Sequence, residues 1–69
     1  MTLELDENSG TYILKDVPMK IEKDLMLLHW ENQQDADWYH DDEEKVKATI
    51  ACLKELWPEY NIDIGNIVL

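Results

Sequence analysis

Asp37, His40, Asp41 and Glu44 are spaced so that, on a helix, they would fall at i, i+3, i+4 and i+7 on one face. One imidazole and three carboxylates on a single face form a plausible mixed ligand set for a divalent cation. The set requires a helix that begins a turn before its strongest N-terminal signal at Asp41. A calcium loop does not fit the same stretch. Counted from Asp35, the glycine position is His40 and the twelfth position is Val46. Nucleophilic catalysis finds no footing either, because no Ser, Thr or Cys has a recognisable base nearby in sequence. With only two glycines the chain contains no phosphate-cradling loop. The expectation is therefore a protein that is not an enzyme and that uses no cofactor and no metal. His29, at the edge of an apolar run, reads as structural.

Trp38 and Tyr39 point to binding. They are ringed by Asp35, Asp37, Asp41 and Asp42. Large aromatics that desolvate, surrounded by charges that steer a partner in, have the composition of an interface hot spot. The competing reading turns one ring inward to cover the core, and adjacency makes it hard for both to do so. Trp30, Trp57 and Tyr60 stand at the ends of apolar stretches and read as core.

Charge sets the class of partner. The 69 residues carry 16 acids against six lysines, no arginine and a formal net charge of −10. Direct contact with nucleic acid is not expected from this balance, since phosphates require clustered Lys or Arg. Anionic membranes are disfavoured by sign. A basic protein surface remains, beside the simpler reading in which net charge serves solubility. Apolar residues make up 45% of the chain, enough for a globular fold. A length of 69 residues implies one small domain, residues 1–69. The lone Cys52 allows no internal disulfide, and no apolar run or basic leader marks a membrane span or signal peptide. A cytoplasmic setting follows as the expectation.

The elements that must position these residues have local signatures. Asp41–Trp57 is the clearest helix, with Val46, Ile50, Leu53 and Trp57 at i, i+4, i+7 and i+11 and Thr49 beside them. Asp41 or Asp42 can cap it, and Asp41 with Glu44 has the form of a capping box. Asp41/Lys45 and Glu43/Lys47 supply acid-before-base pairs, and Pro58 ends the helix. Leu3, Leu5, Tyr12 and Leu14 alternate about the turn-forming Glu7-Asn8-Ser9-Gly10, which predicts a hairpin of Thr2–Asp6 and Thr11–Lys15. Pro18, with Asp16 or Val17 as cap, opens a first helix over Pro18–Gln33 through Ile21, Leu25 and Leu28. Within it, Leu25–Trp30 is apolar on consecutive positions, so periodicity leaves helix and strand open there. Asn61–Leu69 reads as a strand interrupted at Gly65-Asn66, most simply added to the hairpin. Glu31–Glu44, with seven acids and no base, reads as the surface connection between the helices. The predicted fold is α+β, a ββααβ order with a three-stranded antiparallel sheet packed on two helices.

Tyr12-Ile13-Leu14-Lys15-Asp16-Val17-Pro18, followed by Ile21 and Leu25, resembles the opening of ribbon-helix-helix repressors and antitoxins. It covers under a third of the chain. That resemblance would imply a strand that reads DNA, yet this strand offers only Lys15 in an acidic chain. In composition, the chain resembles instead the small acidic DNA mimics of phages and mobile elements, which include inhibitors of restriction, repair and CRISPR systems. Acids one helical turn apart, or two residues apart on a strand, stand about 5–7 Å from one another, close to the separation of successive phosphates. The expected function is then an inhibitor of the phage anti-defence kind, anti-CRISPR proteins among them. It would occupy the basic surface of a nucleic-acid-binding protein through Glu31, Asp35, Asp37, Trp38, Tyr39, Asp41, Asp42, Glu43 and Glu44. The alternative is a small structural or regulatory subunit that acts through an apolar face, as a homodimer through the first helix or the strand Asn61–Leu69.

Overall fold

The computed structural model describes residues 1–33 and 35–69. Strands β1 (Thr2–Asp6) and β2 (Thr11–Lys15) form the predicted hairpin, with Leu3 opposite Leu14 and Leu5 opposite Tyr12. Gly10, at φ +70°, takes the left-handed conformation that closes the turn, and its N–H donates to the Asp6 carbonyl at 2.8 Å. Alternation then sends Leu3, Tyr12 and Leu14 into the core.

Helix α1 (Met19–Leu27) is shorter than Pro18–Gln33, and its N-cap is Pro18 itself, without a side-chain cap. Its end resolves the ambiguity of Leu25–Trp30. His29 adopts φ +65°, its N–H donates to the Met26 carbonyl, and the Trp30 N–H reaches back to the Leu25 carbonyl at 2.9 Å. This is the Schellman arrangement, with histidine in the place usually held by glycine. It turns the chain so that Trp30 closes over Leu25, both buried.

The connection between the helices holds the largest departure from expectation. Glu31–Asn32 is strand β3 and Trp38–His40 is strand β4. They pair with each other, and β4 pairs with β2 with Tyr12 opposite His40, Ile13 opposite Tyr39 and Leu14 opposite Trp38. The sheet is four-stranded and antiparallel, in the order β1-β2-β4-β3. The order ββααβ is thereby corrected to ββαββα. Strands two and three residues long show no period of their own; backbone pairing creates them, β4 against β2 and β3 against β4.

Helix α2 (Glu43–Leu56) follows, with Val46, Thr49, Ile50 and Leu53 buried as the stripe predicts. Its cap is Asp42, whose carboxylate accepts from the backbone N–H groups of Glu44 and Lys45. Asp41 lies outside the helix, so neither the capping box nor the Asp41/Lys45 pair is in place. Lys47 instead meets Glu44 at 3.7 Å.

Both helices bury their stripes in one cluster with the inward residues of the sheet, which leaves the opposite face of the sheet outside the core. Thr49 is the buried polar member, and its hydroxyl accepts from the Trp30 indole at 3.0 Å while donating to the Lys45 carbonyl. Trp57 and Tyr60 pack edge to face at the rim, where the Trp57 indole donates to Asp24. The tail does not add a regular strand. It meets the edge of β1 in one parallel bridge, Thr2 with Asp63, turns at Gly65, and packs Ile62, Ile64, Ile67 and Leu69 partly buried against the core. Among the described residues, no helix is long and apolar enough to cross a membrane.

Candidate functional site

The residues Glu31–Glu44 fold into three separate settings, not one surface. Asp35 and Asp37 lie in the β3–β4 loop, where the Asp35 carboxylate accepts the Asp37 N–H at 2.9 Å and Asn32 donates to both carbonyls. The Ala36 carbonyl accepts from the Val17 N–H, which ties this loop to the start of α1. Asp41–Glu44 lie beyond the other end of β4, at the level of the β1–β2 turn, because Tyr12 is opposite His40. About 13 Å of extended backbone separates Asp37 from Asp41. Two of the seven acids anticipated in the binding surface, Asp35 and Asp37, therefore stand apart from Asp41–Glu44, and their contacts shape a turn.

Trp38 is also removed from that surface. It is 5% exposed and pairs with Leu14 on the inner face. Its indole N–H meets no acceptor among the described residues, so burial of the ring holds it there. Tyr39, the next residue, must point to the opposite face, and it does so opposite Ile13.

That outer face carries the strongest candidate. Its central row runs Glu4, Ile13, Tyr39 and Glu31 across the four strands, each residue opposite the next. At about 4.8 Å per strand the row spans roughly 14 Å. Glu4 at one end is engaged by Lys15 at 3.5 Å, with both side chains about half exposed, a contact of little energetic consequence. Toward the hairpin tip the face sinks into a cleft of about 360 Å³, lined by Asp6, Thr11, Ile13, Glu31, Tyr39 and Asp41. This is near the lower limit of the roughly 300–1,000 Å³ of ligand clefts, space for a side chain or a short segment. Among the described residues, no lysine lines it. His29 stands at its lip in the strained backbone conformation that ends α1.

His40 borders the same cleft, but its ring is packed inward, edge to face on Trp30 at 5.4 Å. Its Nδ1 accepts the Asp42 N–H at 3.0 Å. With that lone pair taken, and with residues 38–40 in a strand, the helical face proposed for Asp37, His40, Asp41 and Glu44 does not form. Among the described residues, no three His, Cys, Asp or Glu side chains are grouped to hold a metal ion.

Sequence reasoning missed Asp6, Thr11 and Ile13 as neighbours of Tyr39 and Asp41. One signal was present. Ile13 stands between Tyr12 and Leu14, so β2 is apolar on both parities, and the sheet could not present a wholly polar outer face.

No protein-family model, curated protein or solved structure matches the chain.

Proposed function

We propose that this chain is a non-enzymatic acidic binding protein that occupies the basic, nucleic-acid-binding surface of another protein, in the manner of a DNA mimic. Several inhibitors of the phage anti-defence kind, some anti-CRISPR proteins among them, are mimics of this sort. The observation that carries the reading is the gathering of carboxylates from three separate segments around clefts on the outer face and edge of the sheet. Asp6, Glu31 and Asp41 line one cleft, and Glu7 and Glu43 line another beside the edge of β1. Acids gathered from distant segments around an apolar pair make a surface complementary in sign to a phosphate-binding groove, and their field accelerates encounter while salt screens it. Glu43 and Glu44 sit at the positive end of the α2 dipole, which stabilises their charges.

The test is a capture from nuclease-treated lysate of the source cell or its host, at low and high salt. The parent is compared with a triple variant, Asp41→Asn, Glu43→Gln, Glu44→Gln, which spares the Asp42 cap. The parent is expected to recover a basic nucleic-acid-binding protein that is lost at high salt and in the variant. Adding the chain should also displace a labelled oligonucleotide from that protein. A partner that resists salt, or that keeps its oligonucleotide, would refute the reading.

One observation favours the alternative of a regulatory or structural subunit. Met19, Met26 and Leu27 stand 83%, 64% and 78% exposed along α1. Association through that helix, including a homodimer, would be insensitive to salt and abolished by Met26→Lys.

A further inference from the structure

We infer that the outer face of the sheet docks an arginine side chain of the partner, with Tyr39 and Ile13 as the floor and Glu31 and Asp41 as the flanking acids. This deepens the function proposed above and rests on it. The acids alone would not single out the place. Ile13 and Tyr39 do so, as a cross-strand apolar pair on the face that the helices leave uncovered, at the base of a cleft of about 360 Å³.

The chemistry of the cleft selects the occupant. A buried ligand must remove Ile13 and Tyr39 from water, which favours a flat or apolar body, while the carboxylates require a cation. A guanidinium satisfies both demands. It is planar, weakly hydrated and able to stack on an aromatic ring while its N–H groups bind a carboxylate in a fork. An ammonium supplies the charge without the stacking plane. No lysine is in the lining among the described residues, in contrast to Glu4 in the same row, which Lys15 engages; Asp41 lies 3.9 Å from His40 Nδ1, a nitrogen that already accepts the Asp42 N–H. Tyr39 is held for this role by its backbone. It pairs with Ile13 on one side and Glu31 on the other, and neighbouring Trp38 is locked into the core, so the ring cannot turn inward. Thr11 and Asp6, opposite one another at the hairpin end, extend the polar wall of the cleft.

The probes are an arginine-glycine repeat peptide and a lysine-glycine peptide of equal length and charge, titrated against the amide NMR spectrum of the whole chain. Shifts should concentrate at Thr11, Ile13, Glu31, Tyr39 and Asp41, with the arginine peptide the tighter of the two. Tyr39→Ala should weaken it roughly tenfold, as loss of a desolvated cation–π contact does. Glu31→Gln, a change at an exposed position, should weaken it severalfold and guards against a folding defect in Tyr39→Ala. Absence of binding, equal affinity for the two peptides, shifts centred on Asp42–Glu44 or on the tail, or undiminished affinity in both variants would overturn the inference. Failure here is separable from failure of the proposed function. If Tyr39→Ala still captures the salt-sensitive lysate partner while the Asp41/Glu43/Glu44 variant does not, the acidic binder stands and the arginine cleft falls.

Discussion

Adjacent residues in this chain have opposite fates because of strand geometry. Trp38 and Tyr39 are both large aromatics among acids, but a strand sends neighbours to opposite faces, so one becomes core and the other floor of the cleft. The polar detail at this scale is Thr49, at 1% exposure, whose hydroxyl accepts the Trp30 indole N–H. Thr49→Val keeps the shape and adds apolar surface, yet it strands a buried N–H. It is expected to cost about 1–3 kcal/mol, which chemical denaturation would measure. A neutral or stabilising result would mean that water serves the indole instead.

Helix α2 carries the fold's clearest local design. Its stripe of Val46, Thr49, Ile50 and Leu53 sets which side is buried, and Asp42 satisfies two of the N–H groups that every helix leaves open at its start. The neighbouring acids differ sharply in consequence. Asp42→Ala should destabilise the protein by about 1 kcal/mol, whereas Asp41→Ala should leave stability within about 0.5 kcal/mol of the parent. Thermal melts of the two variants check this, and a larger loss for Asp41→Ala would move the cap. The hairpin β1–β2 was equally legible, since Gly10 and the alternation about it are local signals. By contrast β3 and β4 were not. Three residues, Trp38–His40, have no readable period, and their acidic flanks resemble a solvated loop until β2 supplies the pairing.

Across the whole molecule the net charge of −10 is spread over a domain whose lysines are few and whose named ion pairs are exposed. Self-repulsion of this kind opposes the compact state and is screened by salt. The melting temperature should therefore rise as sodium chloride increases from a few millimolar toward physiological strength, while binding to a basic partner weakens over the same range. A melting temperature that falls or stays level would show that the exposed pairs matter more than the net charge. The distribution of charge was partly legible. The density of acids in Glu31–Glu44 was plain from the sequence, but it could not show that Asp35 and Asp37 turn a loop at one end of the sheet while Asp6 joins Asp41 at the other.

The sequence by itself determined the β1–β2 hairpin, the buried stripe of α2 and the net charge of −10. Each rests on signals within a few residues, such as turn glycine, capping aspartate, helical period and composition. Only the tertiary structure decided where α1 stops, which aromatic faces out, and which acids share a cleft. α1 stops where His29 turns and Trp30 folds back over Leu25 into the core, and the other two outcomes depend on pairings between residues far apart in the chain, Ile13 with Tyr39 and Leu14 with Trp38 foremost, since a strand's facing is set by its partner as much as by its own side chains.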